Sequence, residues 1–131
     1  MTHSVLIVDD NRISRDSLRD LFDAAGWQVT TRDNGIQALQ ACEQQHFDAV
    51  ITGYFMPIID GPHLLGILKG KAAFQSVPVV MLSTRSFEQI AEHTDTEKLA
   101  FFMSKPLNCE ARQALVSRLS EVVVATKEKA A

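Results

Sequence analysis

Phe47-Asp48-Ala49-Val50-Ile51-Thr52-Gly53-Tyr54-Phe55-Met56-Pro57 reads as the end of a buried strand that runs out into a Met-Pro turn. Its apolar centre, Ala49-Val50-Ile51, is the third of five such runs. Val5-Leu6-Ile7-Val8 is short and continuously apolar, as a strand covered on both faces should be. Trp27 to Thr31, Val77 to Leu82 and Leu99 to Phe102 supply the second, fourth and fifth. Helical spacing fills the gaps between them. Ile13, Ser17, Leu18, Leu21, Phe22 and Ala25 recur along a first helix that Gly26 stops. Asn34 is placed to cap a second, with Ala38, Leu39 and Cys42 on one face. Leu64, Leu65 and Leu68 mark another after Gly61-Pro62, and the last is expected from about Cys109 to Thr126, with Ala111, Leu115, Leu119 and Val122 inward. Alternation of this kind predicts an α/β fold: a doubly wound, five-stranded parallel sheet with helices on both faces.

The 131 residues fit one domain with a core of its own, expected over 1–125, and neither a repeat nor a second-domain boundary is evident. Residues 126–131 are small and charged, and read as a frayed end or the stub of a linker. With 46% apolar and 22% charged residues, the composition excludes a disordered chain. A net charge of −3 gives no basic face, so no direct nucleic-acid binding is expected. No apolar run approaches the length of a membrane span, and Met1-Thr2-His3-Ser4 leads straight into the first strand, so neither membrane attachment nor a signal peptide is expected. Cys42 and Cys109 fit two reduced thiols of a cytoplasmic protein. His3, His46, His63 and His93 show no ligand spacing.

In open α/β sheets the site lies beyond the carboxyl ends of the strands, where strand order reverses. The polar residues of this chain collect at those ends. Asp9 and Asp10 end the first strand, Gly53 the third and Ser83 the fourth, while Lys105-Pro106 follows the fifth. Asp10 or Asn11 would also cap the first helix, and adjacent carboxylates at a helix start suit a hard cation such as Mg²⁺. Pro106 restricts Lys105 to extended backbone, which holds its side chain towards the same place.

Together with Met56-Pro57 and Asp60-Gly61, this set resembles the receiver domain of bacterial response regulators, the CheY-like family, from about Val5 to Val124. The resemblance implies a flavodoxin-like (βα)5 sheet of strand order 2-1-3-4-5 and a cis Lys105-Pro106 peptide. It also implies that an acidic pair holds Mg²⁺, that an aspartate accepts a phosphoryl group from a sensor kinase's phosphohistidine, and that a lysine neutralises the charge. A hydroxyl then moves towards the phosphoryl oxygens while an aromatic residue near the fifth strand turns inward. By position those roles fall to Asp9 and Asp10, Gly53, Lys105, Ser83 and Phe102.

Position 53 departs from that pattern, because glycine has no side chain to phosphorylate. Thr52 and Tyr54 flank it, but a neutral hydroxyl without a base is a poor substitute. With one anionic ligand gone, Mg²⁺ at Asp9 and Asp10 is expected to be weak at best, and no cofactor to be required. Lys105 is left free to pair with Asp9 or Asp10. Thr84 stands where the family usually has alanine or glycine, and Lys98-Leu99 where it commonly shows Gly-Ala. The expectation is a non-enzymatic, receiver-like signalling module of a two-component or phosphorelay system, a pseudo-receiver working by phosphorylation-independent protein contact. Its partners would be a sensor kinase, an output domain, a partner regulator or a second copy. The second copy would use the face of the fourth helix, fifth strand and fifth helix, where Phe87, Ile90, Phe101 and Met103 either offer apolar contact or belong to the core. The alternatives are a regulator with an unconventional acceptor, or a phosphorylation-dead variant of an ordinary receiver. A flavin or nucleotide carrier does not fit Val8-Asp9-Asp10-Asn11-Arg12, which lacks a glycine-rich phosphate cradle.

Overall fold

A computed structural model describes residues 2–130. Five strands, β1 (Ser4–Val8), β2 (Gln28–Arg32), β3 (Ala49–Gly53), β4 (Val79–Ser83) and β5 (Phe101–Ser104), form one parallel sheet in the order β2-β1-β3-β4-β5. The helices between and after them are α1 (Arg12–Ala24), α2 (Gly35–Gln44), α3 (Gly61–Lys69), α4 (Phe87–Ala91) and α5 (Cys109–Ala130). The sheet is buried on both sides because alternate residues of each strand feed two cores. Leu6, Val8 and Val50 pack with Ala38 of α2 and with Leu64, Leu65 and Leu68 of α3. Val5, Ile7 and Ile51 pack on the other face with Leu18 and Phe22 of α1 and with Leu115, Leu119 and Val123 of α5.

Local chemistry sets the helix starts. Asn11, Asn34 and Asp60 each accept a backbone N–H three residues on, and Ser86 and Gln89 form a reciprocal capping box at α4. Gly26, at φ 87°, supplies the left-handed turn that ends α1. Because β2 and β3 flank β1 on opposite sides, strand order reverses between β1 and β3, and a crevice opens at their carboxyl ends.

The structure adjusts several expected boundaries. β4 begins at Val79 rather than Val77, since Pro78 has no N–H for the ladder; its carbonyl still accepts from Val50 N at 3.0 Å. β2 starts after Trp27, which packs edge-on against Phe22 with centroids 5.1 Å apart. β5 runs from Phe101 to Ser104, two residues later than read, with Leu99 and Ala100 in its approach. α5 continues as helix through the segment read as a tail. Thr126 Oγ1 donates to Val122 O, and Lys127 Nζ lies 3.3 Å from Asp48 Oδ1. Ala131 lies outside the described residues. Val123, not Val122, takes the fully buried position on α5, and Ile13, one of the residues at helical spacing along α1, is 83% exposed.

Candidate functional site

Asp9, Asp10, Gly53, Ser83, Thr84 and Lys105 line one cavity of about 480 Å³ at the carboxyl ends of the strands. Each arrives there because a buried apolar strand ends at it or within two residues before it, and Lys105, directly after β5, is joined to Pro106 by a cis peptide.

Asp9 is the electrostatic centre. It is 4% exposed and its carboxylate already has three donors: Asn11 N to Oδ1 at 2.9 Å, Ser14 Oγ to Oδ2 at 2.7 Å and Lys105 Nζ to Oδ2 at 2.5 Å. Arg15 Nη1 donates to the Asp9 carbonyl at 2.9 Å. A buried carboxylate so supplied is satisfied without a metal. Asp10, by contrast, is exposed and has no ion-pair partner among the described residues. Ser83 is buried, and its hydroxyl accepts from Arg85 N at 3.0 Å. Thr84 is exposed at the entrance.

Position 53 contributes no side-chain atom, and its glycine is not demanded by space. A Cβ built there meets nothing nearer than Asp9 Oδ1 and the Val8 carbonyl, both 3.9 Å away, and its φ lies outside the left-handed region. Gly61 is the opposite case. A Cβ on it would stand 2.2 Å from the Gly53 carbonyl, so the turn after Met56-Pro57 closes only over glycine. Close backbone approach therefore requires glycine at position 61 and not at position 53.

Neither flanking hydroxyl takes the missing place. Thr52 is fully buried, does not line the cavity and donates to the Gly53 carbonyl at 3.0 Å. Tyr54 lines the cavity wall but packs with Met81 and Ile90. Phe102 does not line the cavity. It lies half-buried against the Tyr54, Met81 and Ile90 cluster, with its ring 5.9 Å from that of Phe87. Ile90 and Phe101 are core residues, Met103 is half-buried, and of that set only Phe87 is exposed. Lys98 sits in a turn before β5 and pairs with Asp95 at 3.7 Å.

Sequence reasoning missed two contributors. Ser14 reaches Asp9 because it stands three residues after the Asn11 cap, where the first turn of α1 brings it back over the strand end. Arg112, on α5, donates to the Ser17 hydroxyl across the cavity wall. Spacing from Asn11 was a usable signal for Ser14; none existed for Arg112, which arrives from ninety-five residues away.

Mg²⁺ does not fit this donor set well. Asp9 is saturated, Asp10 stands alone, and no group of three His, Cys, Asp or Glu side chains able to hold a metal occurs among the described residues.

The sequence profile of the response regulator receiver domain matches residues 5–119. The chain is 26% identical over 108 residues to the polar-differentiation response regulator DivK of Brucella ovis, spanning 82% of this chain and 88% of that protein. In structure it is similar to the chemotaxis response regulator CheY4 of Vibrio cholerae, with a TM-score of 0.83, 24% identity, and coverage of 91% of this chain and 99% of that one. It is similar also to the receiver domain of sensor histidine kinase PA1611 from Pseudomonas aeruginosa, with a TM-score of 0.84, 22% identity, and coverage of 94% and 98%. That protein has a magnesium ion coordinated in its active-site cleft.

Proposed function

The chain belongs to the response regulator receiver family, and from that premise we propose that it is a two-component signalling module working without aspartyl phosphorylation. The observation that carries this reading is the pairing of Gly53 with the satisfied Asp9. Phosphoryl transfer to a receiver needs a carboxylate nucleophile held in line with the leaving group, and position 53 offers none. The charge a receiver lysine would give to a phosphoryl group is here held by Asp9 at 2.5 Å. Mg²⁺ is not required and binds weakly at best, through Asp10.

A domain without its phosphate switch changes state only when something else binds its conformations unequally. Here that something is another protein: a sensor kinase, an output domain or a partner regulator, in the cytoplasm, with neither nucleic acid nor membrane as a direct ligand. The domain turns over no substrate.

Intact mass after incubation with acetyl phosphate and Mg²⁺, for the unmodified protein beside Gly53→Asp, tests the reading. A phosphoryl gain in the variant alone is expected, and means a receiver silenced at one side chain. A gain in neither places the loss in the wider pocket. A stoichiometric gain in the unmodified protein overturns the proposal, and its resistance to hydroxylamine would then separate a hydroxyl ester from an acyl phosphate.

A further inference from the structure

The amino edge of the sheet, opposite the cavity, gathers two histidines, a carboxylate and an ammonium around the end of α5. Val123 is the last fully buried residue of that helix, and beyond it the helix passes the starts of β1 and β3. Among the described residues, the polar contacts from residues 124–129 to other elements are those of Lys127 alone. Its Nζ lies 3.3 Å from Asp48 Oδ1 and 3.5 Å from His3 Nδ1.

Each imidazole is placed to decide whether that ammonium stays. Lysine only donates, so its contact with His3 Nδ1 needs a lone pair there, on a neutral ring with its proton on Nε2. Protonation of His3 turns the contact into two cations 3.5 Å apart. The Trp27 ring, 5.0 Å from that of His3, helps to hold the new charge. His46 works from the other side. Its Nε2 lies 3.8 Å from Asp48 Oδ1, the oxygen that Lys127 uses, so a protonated His46 competes for it. Asp48 keeps its place without the lysine, because its other oxygen accepts from Ser4 N at 2.8 Å and from Ser4 Oγ at 3.3 Å. Both protonations therefore act in one direction, against Lys127. The other charged groups of the elements that meet here, Asp23, Glu43, Lys71, Glu128 and Lys129, make no ion pair among the described residues.

We propose that His3 and His46 form a proton-operated latch on the end of α5. Neutral imidazoles keep Lys127 on Asp48, and their protonation evicts it and releases residues 124–129 from the amino edge. The latch is closed above the range in which imidazoles titrate and opens as pH falls through it, between about pH 8 and pH 5. Even in bulk water, two unit charges about 4 Å apart shift an equilibrium about fivefold, and His46 adds to the effect of His3. The latch goes beyond the reading of the domain as a protein-binding module and is independent of position 53.

The ¹³Cα shifts of residues 124–129 in the whole chain, followed from about pH 8 to about pH 5 at constant ionic strength, test it. Trp27, the single tryptophan, is a fluorescent reporter beside His3. The helix–coil equilibrium of 124–129 is expected to fall about fivefold or more, in step with the imidazole resonances, while residues 112–120 of the same helix keep theirs. With His3→Gln and His46→Gln together it should hold across the range, and Lys127→Gln should fray that end already at high pH. The proposal is overturned if the unmodified end keeps its helix at low pH, or if the double variant loses it with the same pH dependence. It is overturned equally if Lys127→Gln is as helical at high pH as the unmodified protein, or if all of α5 melts together, which would be acid unfolding of the domain. None of these outcomes bears on the mass measurement, and a phosphorylated unmodified protein would leave the latch untouched.

Discussion

Replacing Gly53 separates the backbone's needs from the cavity's electrostatics. In Gly53→Ala the methyl group meets its nearest neighbours at 3.9 Å, an ordinary van der Waals contact, on a backbone outside the left-handed region. Loss of unfolded-chain freedom should then stabilise the protein by about 0.4–1 kcal/mol, and raise the melting temperature by about 2–4 °C. Gly53→Asp adds a carboxylate to the same space. With its Cβ 3.9 Å from Asp9 Oδ1, its charge sits about 5 Å from that of Asp9, a repulsion of about 3 kcal/mol at an effective dielectric of 20. Lys105 is attracted to the new carboxylate as well as to Asp9 and offsets roughly half of this, so the aspartate variant should be about 1–2 kcal/mol less stable than the alanine variant. Urea unfolding with chelator and with excess Mg²⁺ reads both effects. The expected order in chelator is alanine above glycine above aspartate, and Mg²⁺ should recover the aspartate variant alone. A destabilised alanine variant would show that position 53 needs glycine. Equal stabilisation of the unmodified protein by Mg²⁺ would show that Asp9 and Asp10 hold the metal without a third carboxylate.

Lys105→Met takes one of three donors from the buried Asp9 carboxylate and leaves Ser14 and Asn11. The expected loss in urea unfolding is about 2–3 kcal/mol, and a loss under about 0.5 kcal/mol would mean that solvent already screens the pair. Burial raises the Asp48 carboxyl, but the backbone N–H of Ser4 at 2.8 Å and the charge of Lys127 bring it below its ordinary value. With the folded value below the unfolded one, its stabilisation is complete above about pH 4 and fades as pH falls through the folded value. The stability of the unmodified protein should therefore drop more steeply with acid than that of Asp48→Asn, and parallel curves would refute the linkage.

The strands were legible because burial on both faces writes them as unbroken apolar runs, and the site was legible because its polar residues interrupt those runs at their ends. Boundaries slipped where a residue is buried without being paired. Trp27 and Val77 are core residues that donate to no ladder, so hydrophobicity alone placed them one or two residues inside a strand. Ile13 has helical spacing with Ser17, but the first turn of α1 carries it to the cavity mouth rather than over the core. Gly53 and Gly61 look alike in a sequence, and only the distance from each absent Cβ to its neighbours separates a replaceable glycine from a required one. The positive φ of Ile58 had no sequence signal, since it comes from a γ-turn that the Ile59 N–H closes onto the Pro57 carbonyl at 2.8 Å.

The cavity also limits how such a domain can be switched. Where several carboxylates crowd one pocket, mutual repulsion makes its state depend on an added cation or phosphoryl group. Here a single buried carboxylate faces a single ammonium, and the remaining anion, Asp10, is solvated. The resting pocket is balanced, so an incoming small ion has little repulsion to relieve. Moving a two-state domain from one part in a hundred to ninety-nine needs about 5.5 kcal/mol of differential binding. Ile13, Phe55 and Ile58 are 83%, 59% and 84% exposed, and covering such side chains yields about 1.5–3 kcal/mol each before the cost of association. The three together reach the required size, whereas one exposed carboxylate meeting Mg²⁺ does not. A partner that covers Ile13, Phe55 and Ile58 in only one conformation supplies differential binding of the size that phosphorylation supplies in a receiver with an aspartate at this position.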